Sequence, residues 1–579
     1  MRTWAALAGL LLAPAPLCAG PASAAVPAAD GGAFYFQCGV TAGGEGGTLL
    51  RLQFDAQADG GVRAGRPLWE AGRILDGAGG AAPRRRIYTS AGDSSAPLPF
   101  EWAGLTPGQR ALLERAPAAP ESAAPDGLGE ARLQYVRGER GLEIGRPGGI
   151  FRRRDGLLGV SVHAAPLYVG APSAGAQGAD YGAFYARRQA RPGVVYLGAD
   201  DGMLHAFDAG SGAELFAYIP NALIGALNVL PCAACPRRPY VDGAAASGEA
   251  LLRGQWKTVL VSGMGGGAPG AFALDVSDTE QFRSGGALWE FGERDDAGIG
   301  MVGAAPLIAK FRAGGAANAP EYRYFAVLAA GPGRAAALFL LALDKPAAQA
   351  WRLGLNYFKL AAPATQAANA FGAPTLVPGA DGAVRYLYAG DAQGNLWRID
   401  FSAAAPWPGV VGKQPLFVAR DGAGARQPIS QAPRVAFAPG GGYLLLFGTG
   451  EAEPEPASQV QSFYAIRDDL TAQARVDGRA ALARRSLRGD DAAGPALSGK
   501  EFAYAGAGAA QGWYVDFTDV GERAVNGALL AAGRIFFNTT VSGAAPGARN
   551  YAIDSVSGLA AGADGVARSG AVTGRFSAG

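Results

Sequence analysis

The chain has 579 residues, 49% hydrophobic and 17% charged, with a formal charge of +2 at neutral pH. That length and apolar content allow a sizeable core, and the 89 glycines follow no every-third-residue period, which excludes a collagen-like chain. The near-balanced charge gives no electrostatic case for nucleic acid as a partner.

Residues 1–24 read as an export signal. Arg2 precedes an apolar stretch from Trp4 to Leu12, and Ala22-Ser23-Ala24 supplies the small residues of a cleavage site. The stretch is too short to span a bilayer, and no transmembrane segment is expected later in the chain. Pro16 and Leu17 precede Cys18, which disfavours lipidation there. The mature protein is expected to be exported and soluble. Arg84, Arg85 and Arg86 form a short basic run, expected to be solvated surface. Residues Pro117 to Gly129 are rich in Ala, Pro and Glu and read as a surface insertion.

One pattern then recurs: an apolar strand, a glycine turn, a second apolar strand and an aspartate turn. Its clearest copy runs Val194-Val195-Tyr196-Leu197-Gly198, Asp201-Gly202, Met203 to Asp208, then Gly210-Ser211-Gly212. Met203 to Phe207 is read as a strand of period two. A second copy pairs Leu387 to Asp391 with Gly394 to Asp400, and weaker copies run Val259 to Asp275, Phe325 to Asp344 and Leu444 to Ile466. A tryptophan follows several copies, at Trp289-Glu290 and Trp351-Arg352 and, early in the chain, at Trp69-Glu70. Such hairpins at intervals of roughly 40 to 70 residues predict an all-β fold, a β-propeller of about seven irregular blades. A four-stranded blade has two apolar faces, so blades must stack to cover them. An immunoglobulin-like array is the competing all-β reading. The glycine- and alanine-rich residues 558–579 are expected to be a loose tail.

Several local motifs invite chemistry. Beyond the signal the cysteines are Cys38, Cys232 and Cys235, and the Cys232-to-Cys235 spacing can be redox, metal-binding or structural. Zinc would need partners, yet the chain has only two histidines, His163 and His205. Pro231 and Pro236 frame a loop rather than a redox βαβ unit. A small disulfide is expected, contributing only about 2 kcal/mol by loop closure. Gly263 to Gly267 lacks the Lys-Ser/Thr and helix of a phosphate cradle. Asp275-Val276-Ser277-Asp278-Thr279 resembles an adhesion-domain metal motif, but Asp275 stands where Asp208 and Asp400 stand and is expected to bind turn amides. His205 is expected to be packed and hydrogen-bonded rather than catalytic. Arg488-Gly489-Asp490 is an integrin-type tripeptide of little statistical weight.

Longer stretches resemble the PilC/PilY family of type IV pilus proteins. They begin with Arg137-Gly138-Glu139, Phe151 to Arg154, Gly159 to His163 and Pro166 to Gly170. Val195 to Phe207, Tyr218-Ile219-Pro220, Tyr240 to Gly243 and Ala273 to Val276 follow in order. Gly390-Asp391 with Gly394 to Trp397, Phe447 to Gly450 and Gly512 to Val515 with Gly521 to Arg523 complete the series. The resemblance covers residues 35 to 557 and implies a propeller over 25–557. Many members carry a long amino-terminal region, for which this chain is expected to have no room. Members also carry a calcium loop before the Tyr386 to Asp391 strand. Here Asp381 is the one side-chain ligand left, and Arg385 stands where a closing carboxylate belongs. Calcium takes six to eight oxygens, so the loop is expected to be degenerate and no cofactor is expected.

The resemblance implies a non-enzymatic pilus assembly factor and tip-associated adhesin. It would act by recognising minor pilins, other pilus components, or a host or abiotic surface. The expected location is the periplasm, the outer-membrane surface or the pilus of a Gram-negative cell. Two alternatives share the architecture. A periplasmic scaffold propeller would stay in the periplasm, whereas a quinoprotein dehydrogenase would need calcium, a stacking tryptophan, a catalytic aspartate and adjacent cysteines.

Overall fold

The structure is a computed structural model. It describes residues 26–577 apart from 28–32, 57–61, 78–83, 93–94, 118, 121–123, 177, 364–367, 408–413, 452–458, 472–473, 489–495, 507, 520, 542–546 and 560–574. The export signal and most of the tail lie outside the described residues.

Seven sheets follow one another along the described chain, which makes the fold the expected all-β, seven-bladed β-propeller. The third sheet shows the plan: Ala245–Leu252, Gln255–Gly263, Gly270–Asp275 and Ala287–Gly292 pair in sequence order as an antiparallel meander. The second sheet is built on Leu167–Val169, Val194–Gly198, Leu204–Asp208 and Glu214–Tyr218. It gains an extra strand from far upstream, because Ile87–Thr89 pairs in parallel with Glu214–Tyr218.

The chain divides into two compact units. The first comprises the described residues to Lys310 with Arg323–Gly331 and Phe339–Tyr357; the second comprises Phe311–Tyr322, Pro332–Leu338 and the described residues from Phe358 onward. In the first unit, Phe34, Phe36 and Leu49 of the first sheet pack on Val195, Leu197 and Phe207 of the second. The opposite face of the second sheet, with Tyr196, Leu204 and Phe216, packs on Leu260, Phe272 and Leu274 of the third. In the second unit, Phe463 and Trp513 pack against Phe537 and Tyr551, the Phe463 and Phe537 rings stacking at 3.9 Å. The second sheet is thus covered on both faces, as expected of stacked blades. All five residues from Met203 to Phe207 are buried, so the strand is present but its alternation does not separate core from water.

Two sequence expectations change. Arg85 is not solvated: it is buried and ion-paired, for reasons given below, while Arg84 and Arg86 remain exposed. The segment between the first two sheets also carries helices. Pro107–Glu114 starts at a capping box in which Thr106 and Gln109 satisfy each other's backbone amides. Gly129–Arg137 ends on Gly138, whose φ of 116° suits the left-handed cap. Within the expected insertion, residues 124–127 are exposed.

Trp513 is fully buried, and its indole nitrogen donates to the Ser555 carbonyl at 3.1 Å. Trp513→Ala is expected to cost about 3–5 kcal/mol, read as a lower denaturant midpoint for the transition that reports the second unit.

Candidate functional site

A buried polar cluster lies in the first unit, on the second sheet. His205 sits mid-strand with no solvent exposure. Its Nε2 lies 3.0 Å from Asp201 Oδ2, and its Nδ1 lies 2.8 Å from Glu214 Oε1. Glu214 opens the next strand and takes Arg85 through two bonds, from Nε and Nη2, each 2.7 Å. Arg85 also donates to the Arg137 carbonyl at 3.1 Å, and Asp201 accepts the Gly159 and Met203 amides. Two cations and two carboxylates therefore form a closed, neutral row.

The row fixes protonation. Both His205 nitrogens face carboxylates, so both carry hydrogen and the ring is an imidazolium. Burial alone would lower its pKa; Asp201 and Glu214 outweigh that and hold it up at about 9. Burial would raise the Glu214 pKa, but Arg85 and His205 hold it well below the usual carboxylate range. An imidazolium with both nitrogens engaged offers no lone pair to a proton, so the row does structural work.

Beside it, burial and then the neighbouring Asp242 charge push Asp200 up to about 7. Asp242 binds the exposed His163 through its backbone amide at 3.1 Å and its Nδ1 at 2.8 Å. Among the described residues no group of three His, Cys, Asp or Glu could hold a metal ion. The glycine run from Gly263 serves backbone packing: a Cβ on Gly267 would stand 1.7 Å from the Tyr240 carbonyl oxygen. Another carboxylate, Glu290, accepts Ser90 Oγ, Tyr218 OH and the Asn221 and Ala222 amides, and burial raises its pKa.

Cys232 and Cys235 form a disulfide with Cα atoms 5.3 Å apart, and Cys38 is buried. The disulfide loop is tied to residues 140–154. Arg152 donates to the Cys232 carbonyl at 2.8 Å and also to the Cys235 carbonyl. Asp275 does cap its turn, accepting the Ser277 amide at 3.0 Å, and pairs with Lys257 at 2.6 Å. Asp278 pairs instead with Arg188. These two ion pairs line a cleft of about 470 Å3 floored by Trp256 and Phe184.

In the second unit, Asp391 explains its motif: it accepts Trp397 Nε1 at 2.8 Å, Asn395 Nδ2 at 2.9 Å and the Gln393 and Asn395 amides. Asp381 accepts the Tyr322 hydroxyl at 2.7 Å and the Ala383 amide at 3.1 Å. Arg312, Tyr322 and Arg385 share a recess of about 200 Å3 with it. Of the integrin-type tripeptide, Gly489 and Asp490 lie outside the described residues; Arg488 ends the strand Ala483–Arg488.

The sequence matches a family described as the PilY1 beta-propeller domain over residues 161–490, more than half of the chain. It is 32% identical over 478 residues to the type IV pilus biogenesis factor PilY1 homolog of Xylella fastidiosa, covering 74% of this chain and 31% of that protein. It is 31% identical over 484 residues to PilY1 of Pseudomonas aeruginosa strain PAK, covering 76% of this chain and 39% of that protein. The chain thus spans between about a third and two fifths of the length of these curated relatives. The crystal structure of the P. aeruginosa PilY1 C-terminal domain superposes with a TM-score of 0.54 and 27% identity, over 68% of this chain and 86% of that one.

The buried row sets a pH dependence. The raised His205 pKa contributes stability that is complete below about pH 6.5 and is lost as pH rises through about 9, on the order of 3 kcal/mol. The depressed Glu214 pKa contributes stability above about pH 4.5 that is lost as pH falls through its folded value. Thermal scans from pH 7 to pH 10 are expected to show a falling midpoint for the first unit. His205→Gln should start lower and flatten that slope; an unaltered slope would assign the loss to other groups.

Proposed function

Since this chain belongs to the PilY1 β-propeller family, we propose that it is a non-enzymatic, exported assembly factor for type IV pili and a tip-associated adhesin. The single observation that carries the reading is the family match over more than half of the chain, with relatives named type IV pilus biogenesis factors at 30% to 32% identity. The chemistry of the first unit supports it: the buried acids and histidine satisfy one another, and what remains for partners is surface. Its partners are then minor pilins or other pilus components, with a host or abiotic surface as a further target. Its place is the periplasm, the outer-membrane surface or the pilus. Among the described residues no helix is long and apolar enough to cross a membrane. The quinoprotein alternative would need a disulfide between adjacent cysteines, whereas Cys232 bridges to Cys235.

Deleting the gene tests the assembly role. Surface pili and twitching are expected to be lost, and pili are expected to return when retraction is also blocked. Normal pili and motility, with the protein confined to the periplasm, would leave a scaffold propeller instead.

We also propose that the Asp381 loop binds no calcium. Its carboxylate is engaged by Tyr322 and Ala383, and Arg312 and Arg385 raise the local positive potential. Calcium titration should leave the thermal midpoint of the second unit unchanged, as should chelation. A calcium-dependent rise that Asp381→Asn removes would reverse this assignment.

A further inference from the structure

The segment Leu142 to Phe151 folds back on itself as a knuckle. Ile144 N donates to the Phe151 carbonyl at 2.8 Å, Ile150 N to the Leu142 carbonyl at 2.9 Å, and Gly149 N to the Arg146 carbonyl at 3.0 Å. Its base is locked. Glu143 is buried between Arg140 and Arg154, at 3.2 and 2.8 Å. Phe151 packs edge-on against Tyr135 at 5.6 Å, and Arg152 holds the disulfide loop. Arg154 lies over the Tyr135 ring at 3.6 Å.

The tip does the opposite of what a folded chain ordinarily does with branched aliphatics. Leu142, Ile144 and Ile150 are 37%, 48% and 51% exposed, three large apolar side chains within nine residues. Arg146 and Arg153 are exposed beside them and make no ion pair among the described residues. From Ile144 to Ile150 the sequence is Ile-Gly-Arg-Pro-Gly-Gly-Ile. It holds no carboxylate, amide or hydroxyl side chain, so the tip offers a partner only aliphatic surface and guanidinium charge. A folded protein partner is recognised chiefly through buried aromatic anchors set among mixed polar side chains, and of these groups the tip presents arginine alone. A bilayer interface asks for what is present: apolar side chains for the acyl boundary and cations for lipid phosphates. Because the base is already braced, docking requires little further ordering of the loop.

We propose that the Leu142 to Phe151 knuckle is a peripheral contact for an anionic phospholipid bilayer, with Ile144 and Ile150 entering the interface and Arg146 and Arg153 meeting the phosphates. This goes beyond the pilus reading and does not depend on it, since vesicle binding is measured on the purified chain.

Co-sedimentation with vesicles of phosphatidylglycerol and phosphatidylcholine, against phosphatidylcholine alone, tests it. The full chain is expected to bind the anionic vesicles and to lose that binding as salt rises. Ile144→Ser with Ile150→Ser should weaken binding at least tenfold, and each of Arg146→Gln and Arg153→Gln by about fivefold. Leu353→Ser with Leu355→Ser, at exposed leucines elsewhere in the first unit, should leave binding unchanged. All variants should keep the parent thermal midpoint, because the altered side chains are exposed. Absence of binding by the parent, or equal binding by the knuckle variants, would overturn the proposal. So would a purified pilus protein whose binding those variants abolish while vesicle binding is absent.

Discussion

An inner strand covered on both faces leaves a polar side chain no water to turn to. A charged group there must find its counterpart inside the protein, because an unpaired buried charge costs several kcal/mol. His205 meets this demand with two carboxylates, and Glu214 meets it with His205 and Arg85. In the second unit, the fully buried Asp468 meets it with the Tyr388 hydroxyl and Arg398, each at 2.6 Å. Glu522 does so with Thr539 at 2.6 Å and Tyr551 at 2.7 Å. The polar residues most suggestive of catalysis are therefore the ones most fully committed to the fold.

The same constraint gives the repeating motif its physical content. Asp208, Asp275, Asp400 and Asp554 each close a strand and accept an amide two or three residues on, from Ser211, Ser277, Ser402 and Ser557. Each carboxylate ends a ladder where backbone donors would otherwise be left over. Asp391 adds a tryptophan indole to that role, which ties Gly390-Asp391 to Trp397 through one side chain.

The parts of this fold that were legible in the sequence are those decided within a few residues. The hairpin around Asp201 and Gly202, the aspartate turns and the Asp391-to-Trp397 motif all announce themselves locally. The capping box at Thr106 and Gln109 is equally local, a Thr followed three residues on by Gln with Pro107 at the first helical position. Arg85 is not legible for a different reason. Its partner Glu214 lies 129 residues away, and nothing in Arg84-Arg85-Arg86 distinguishes the buried member from its exposed neighbours. Likewise the knuckle at residues 142–151 reads as an ordinary glycine-rich loop until its base is seen to be braced. The sequence resemblance reached the family because ordered motifs survive where pairwise contacts cannot be read.

The strand Ile87–Thr89 has a consequence for how the chain is assembled. It joins its sheet beside Glu214–Tyr218, so a segment made early waits for one made much later. A chain that emerges amino terminus first leaves Arg85 and one edge of that strand without their partners until more than a hundred further residues have followed. The second blade is thus a clasp whose two halves arrive at different times, and its closure marks the moment when the amino-terminal segment stops being a loose end.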